Sequence, residues 1–198
     1  MQHNDTLERI AAEVKVCTRC RLAETRTHAV PGHGDPHAPL LLVGEAPGRT
    51  EDETGMPFQG MSGRFLDAEL ALLNISRDSV FISSANKCRP PDNRNPRRDE
   101  VAACASYLDR QMALIRPRVV LAMGGTAAAR MHPERTGPAV KVGDLRGQVF
   151  CAGTRAGADR DISPRGGDAV SRPAPTVSRR PASGGDPGWA ARRVGSGR

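Results

Sequence analysis

The stretch Ala38–Gly48, APLLLVGEAPG, decides the fold: an apolar run from Leu40 to Val43 breaks at Gly44 into a turn that carries Glu45, Pro47 and Gly48. A short apolar run bounded by turn residues suits a strand buried on both faces, the kind found in parallel sheets. Two other runs read the same way, SVFIS at residues 79–83 and RVVLAMGG at 118–125.

Helical patterns fall around these runs. Leu7, Ile10, Ala11 and Val14 recur at helical spacing behind a cap at Asp5. Ser62 stands before Leu66, Leu70 and Leu73, with Asn74 as the stop, and Asp99 to Ile115 reads as one long helix. TAAARM, residues 126–131, opens another. Helices alternating with buried strands imply an α/β fold around a central parallel sheet. GDLRGQVF, residues 143–150, reads as one more turn and strand, and there the pattern stops. No internal repeat is present.

The chain has 198 residues and a formal net charge of +7. From Cys151 onward there are nine Arg and four Asp with no Lys or Glu, so +5 belongs to this tail and +2 to the rest. Gly, Ala, Arg and Pro make up 31 of the tail's 48 residues, too little apolar surface to offset chain entropy. The sequence therefore divides into a folded domain, residues 1–150, and a tail expected to be disordered, residues 151–198. No apolar run is long enough for a membrane span, and the N-terminus lacks the pattern of a signal peptide. A cytoplasmic protein acting as a monomer is the expectation.

Five cysteines are present. Cys17 and Cys20 form a C-x2-C pair, Cys88 and Cys104 a C-x15-C pair, and Cys151 stands apart with no assigned role. Four paired cysteines in a cytoplasmic chain point to metal ligation rather than disulfides. The spacing alone leaves zinc, an iron–sulfur cluster and no metal equally open, since Cys104 could be a small buried residue on a helix face.

The loop GEAPGRTEDETGMPFQG, residues 44–60, puts Glu45, Glu51 and Phe58 beyond the C-terminal end of a buried strand. Open α/β sheets bind ligands there. Gly44 and Gly48 permit tight turns and close approach of a substrate to the backbone. Taken alone, the loop reads more simply as solvated carboxylates and a core phenylalanine.

VPGHG (30–34), LLLVGEAPGRTEDETGMPFQG (40–60), NKCRPPDNRNP (86–96) and the order of the four paired cysteines together resemble the type-4, iron–sulfur branch of the uracil-DNA glycosylase superfamily. The resemblance runs in unbroken order from about residue 10 to residue 150. It implies a three-layer fold with a central parallel four-stranded sheet and a structural [4Fe–4S] cluster held by Cys17, Cys20, Cys88 and Cys104. The implied activity is hydrolysis of the N-glycosidic bond of uracil in DNA, on a nucleotide flipped out of the stack. Phe58 would stack on the base, and Gly44, Glu45 and Ala46 would line the uracil pocket. Glu45 and Glu51 would stabilise the cationic sugar and align water.

Two features depart from the family pattern. Ser84 stands where the family has an asparagine that reads the uracil edge, with Asn86 displaced by two positions; a hydroxyl cannot reproduce an amide's paired contact. The family's Tyr-His-Pro motif after the RG turn is also missing, because the only His-Pro, His132-Pro133, precedes that turn. ADRDISPRGGD, residues 158–168, admits a codon assignment that reads Pro-Thr-Val-Thr-Tyr-His-Pro-Ala-Ala-Ala-Met when started one base later. A frame change between about Phe150 and Ala158 would thus displace the last strand and the His donor together, and impair activity.

Two other functions compete. A catalytically silent DNA-binding iron–sulfur or zinc protein could use the arginines of KCRPPDNRNPRRDE, residues 87–100, and of the tail against phosphates, with steep salt dependence and no preference for uracil. Ser84 also leaves room for a hydrolase acting on another base.

Overall fold

The computed structural model describes residues 5–131 together with Gly143 and Gly147. The expectations for the strand at 143–150, for Cys151, for the tail and for the shifted frame otherwise lie outside the described residues.

Helix α1, Leu7–Lys15, starts one residue later than the Asp5 cap suggests. Thr6 takes the cap: its hydroxyl accepts from Arg9 N at 3.2 Å, satisfying a first-turn amide that has no helical partner. Asp5 pairs instead with Arg110, 2.6 Å away, joining the start of α1 to helix α4, Arg98–Ile115. Ile10 and Val14 are buried on the apolar face of α1.

The sheet contains β1 (His33–Gly34), β2 (Leu40–Gly44), β3 (Phe81–Ser84) and β4 (Val119–Ala122), in the order β1-β3-β2-β4. β2 lies in the centre, parallel to both neighbours, with Gly44 opposite Ser84 and Val43 opposite Ala122. These three are the parallel strands read from the apolar runs. β1 pairs antiparallel with β3 and makes the sheet mixed. Two residues carry no periodicity, so a strand that short leaves no signal in sequence.

Alternation along the strands feeds two apolar layers. Leu42 and Ile82 face helix α3, Met61–Leu72, through Leu66 and Leu70. Leu41, Val43 and Phe81 face the other way, against Leu108 and Ile115 of α4 and Ala127 of α5, Gly125–Met131. Among the described residues the result is three layers, with the C-terminal ends of β2 and β3 side by side. No helix of the described residues is long and apolar enough to cross a membrane.

Candidate active site and cysteine cavity

Gly44 closes β2 at the point where the chain must make room for an aromatic ring. A Cβ there would lie 2.8 Å from Phe58 Cε2, 2.9 Å from Cζ and 3.5 Å from Ser84 Oγ. Glycine alone lets the Phe58 ring lie across the strand end beside the Ser84 hydroxyl. Phe58 itself has φ 51°, the left-handed region that a phenylalanine enters only when its surroundings impose it.

Glu45 follows, half-buried. Its Oε1 accepts from Thr126 N at 2.9 Å, at the start of α5. Gly124, at φ 104°, makes this approach possible, since a Cβ there would sit 2.6 Å from the same oxygen. The backbone beyond β2 is tied to that beyond β3: Ala85 N donates to Gly44 O at 2.9 Å and Asn86 N to Glu45 O at 3.0 Å. Gly44, Glu45, Phe58 and Ser84 thus gather at one strand end, with half-buried Ala46 next in the chain.

Glu51 is placed differently. Part of what reads as a loop is helix α2, Arg49–Thr54, and Glu51 lies in its first turn. Its Oε1 accepts from Gln59 N and Gly60 N, both at 2.8 Å, and its Oε2 accepts from Gly48 N at 3.0 Å. A carboxylate receiving three amides is a fastener, and this one cinches the segment 48–60 around Phe58. Asp52, 3% exposed, performs a similar task by accepting from Thr27 N at 3.0 Å.

Sequence reasoning missed the residues that set Phe58. Arg77, in the turn before β3, donates through Nη2 to Pro57 O at 2.8 Å and to Phe58 O at 3.1 Å. Gly63 lets α3 approach, because a Cβ there would fall 1.9 Å from Phe58 O. Neither position carries a local signal; both matter only through contacts with a distant turn.

The four paired cysteines line one cavity with Val14, Arg26, Asn86 and Tyr107. Cys17 and Cys20 come from the segment after α1, Cys88 from the segment after β3 and Cys104 from α4. Three of the sulfurs accept hydrogen bonds: Cys88 Sγ from Arg26 Nη1 at 3.1 Å, Cys104 Sγ from Lys87 N at 3.3 Å and Cys17 Sγ from Arg19 N at 3.5 Å. Burial pushes the Cys104 thiol up to about 11 and raises Cys88 as well. Among the described residues, no three His, Cys, Asp or Glu side chains close on a single point as they would around one metal ion.

Asn86 lines this cavity, and its Oδ1 is buried with no partner among the described residues. Lys87, 1% exposed, extends from the same segment towards the sheet. Its Nζ donates to Ser84 O at 2.9 Å and Gln111 Oε1 at 2.8 Å, and burial lowers it to about 8. One short segment thus joins the strand end to the cysteine cavity.

Comparison with known proteins places the chain in a family. The model of the uracil DNA glycosylase superfamily matches residues 31–175, continuing past Phe150. A type-4 uracil-DNA glycosylase of Sulfurisphaera tokodaii is 48% identical over 121 residues, which are 61% of this chain and 55% of that protein. The type-4 enzyme of Saccharolobus solfataricus is 40% identical over 147 residues, 74% of this chain and 68% of the relative. That of Pyrobaculum aerophilum is 40% identical over 144 residues, 73% and 74%.

Proposed function

Because the chain belongs to the uracil-DNA glycosylase superfamily, we propose that it hydrolyses the N-glycosidic bond of uracil in DNA, as a type-4 enzyme of base excision repair working as a monomer in the cytoplasm. The observation that carries this reading is the Phe58 ring laid over Gly44 beside Ser84, with Glu45 next in the chain. A flipped base needs a flat apolar face to stack on and polar groups at its edge. Phe58 supplies the first, and the Ser84 hydroxyl with the backbone of Gly44–Ala46 supplies the second.

Bond cleavage builds positive charge on the sugar and negative charge on the departing base. Of the two carboxylates, Glu45 has the freer group: among the described residues one amide reaches one of its oxygens. It is the better candidate to stabilise the sugar cation and align water. Glu51, held by three amides, shapes the loop that presents Phe58.

The cysteine cavity suits a [4Fe–4S] cluster on Cys17, Cys20, Cys88 and Cys104. The donor set is all thiol, and amide and guanidinium groups aimed at the sulfurs would stabilise thiolate charge. The cluster would be a structural crosslink between α1, the segment after β3 and α4.

Uracil release from single- and double-stranded uracil-containing DNA tests the function. Release from uracil but not from hypoxanthine or xanthine is the expected result; salt-sensitive binding without release or preference would favour the silent DNA-binding reading instead. The shifted frame for residues 151–198 carries its own expectation: without the His donor, release should be roughly 10²- to 10³-fold slower than in a frame-restored chain. The coding DNA around codons 150–170 decides the matter, and a shifted frame lacking Tyr-His-Pro ends that idea.

A further inference from the structure

Phe58 is held in its left-handed conformation by a clamp whose parts come from three separate places in the chain. The peptide joining Phe58 to Gln59 is gripped at both ends. Its carbonyl accepts from Arg77 Nη2 at 3.1 Å, and its N–H donates to Glu51 Oε1 at 2.8 Å. A peptide is planar, so fixing both ends fixes its plane and, with it, the torsions around Phe58. The preceding peptide is held as well, since the same Nη2 donates to Pro57 O at 2.8 Å. One guanidinium nitrogen therefore donates to both carbonyls that flank Phe58, Pro57 O and Phe58 O.

The guanidinium is positioned in turn. Arg77 Nη1 pairs with Asp67 on α3, the helix that Gly63 allows to press against the Phe58 carbonyl. Arg77 is always charged, and its planar fork can serve a carboxylate and two carbonyls together. Its side chain is 27% exposed, so the site is shielded but not sealed.

We propose that Arg77, oriented by Asp67, is a positioning residue that sets the Phe58 ring for stacking on the flipped base, and thereby sets affinity for the uracil nucleotide. The inference rests on the glycosylase reading above. Arg77 touches no substrate; its effect passes through the Phe58 backbone. Removing it lets the Phe58–Gln59 peptide rotate and frees the ring from the strand end.

The test measures Kd for a uracil-containing single strand and for the same strand without uracil. Arg77→Met should weaken uracil binding about tenfold, the scale of a lost base–aromatic stack, and leave the undamaged strand unaffected. In a Phe58→Ala background the same substitution should add nothing further, because both changes remove one contact. Wild-type affinity in Arg77→Met, or an equal loss in the Phe58→Ala background, overturns the proposal. If circular dichroism shows Arg77→Met unfolded, Asp67→Asn takes its place with a smaller loss of the same selectivity, and a loss shared by both strands overturns the proposal. A wild-type chain with no preference for uracil defeats the glycosylase reading. The clamp is then judged by amide exchange at Gln59, which Arg77→Met should accelerate about tenfold if the peptide is clamped; unchanged exchange defeats it.

Discussion

The cysteine cavity and the strand-end loop are built by opposite means. The cavity collects four thiols from three distant stretches and surrounds them with Ile10, Val14, Leu22 and Tyr107. Its polar contacts to the sulfurs come from residues that line the same cavity, through Arg26, Lys87 N and Arg19 N. The strand-end loop is fastened from within. Glu51 ties residues 48, 59 and 60, Arg77 ties residues 57 and 58, and Gly44 and Gly63 provide the clearances. A structure closed by its own hydrogen bonds needs nothing added; one whose thiols meet around a cavity would gain a crosslink only from what it binds. Damage to the first should cost chemistry and some stability without iron loss, and damage to the second should cost the fold and the iron together.

The sharpest way to break that contrast is a cysteine substitution. Cys88→Ser should abolish iron retention and cooperative unfolding together, seen as lost thiolate-to-iron absorbance, low iron content and a broadened thermal transition. A well-folded, iron-free Cys88→Ser chain would mean that the cavity is an ordinary core. On the other side, Glu45→Gln should fold and keep its iron while slowing single-turnover uracil release by about 10²-fold or more. Glu51→Gln should differ from it: an amide cannot accept from three N–H groups with a carboxylate's strength, so stability and activity should fall together.

The two regions also differ in how far they could be read from sequence. The buried strands announce themselves as apolar runs, and the end of β2 follows from Gly44. The cysteines are visible by count and spacing, although spacing could not choose their partner. What stays hidden is the set of contacts in which one residue matters only for a neighbour far along the chain. A sequence does not show that three amides face Glu51, and α2, six residues long, is too short for a helical period to stand out. Arg77 lies 19 residues from Phe58 and looks like any turn arginine. Asn86, two positions beyond Ser84, lines the cysteine cavity, which nothing in the sequence shows.

Gly63→Ala tests the loop's tightness with one methyl group. A Cβ 1.9 Å from a backbone carbonyl cannot be accommodated unless α3 or Phe58 moves. The expected cost is about 1–3 kcal/mol in chemical denaturation, with weakened uracil binding and unchanged iron content. Iron loss in this variant would show that the two regions do not fail separately.

The smallest effect concerns the arm that carries Cys88 into α4. Glu100, fully buried, receives Arg94 Nη2 at 2.7 Å, Arg94 Nη1 at 2.9 Å and Arg97 N at 2.8 Å. The Arg94 bonds are the main reason its carboxyl falls from 4.5 to about 2. A carboxyl whose folded value lies below its unfolded one binds fewer protons in the folded state, so its contribution to stability is complete above about 4.5 and is lost as pH falls through 2. Glu100→Gln should therefore lower stability at neutral pH by on the order of 1 kcal/mol. It should also flatten the stability profile between pH 4.5 and 2. Denaturation midpoints measured across that window check both halves. An unchanged slope would mean that the Arg94 pair is not what holds this arm.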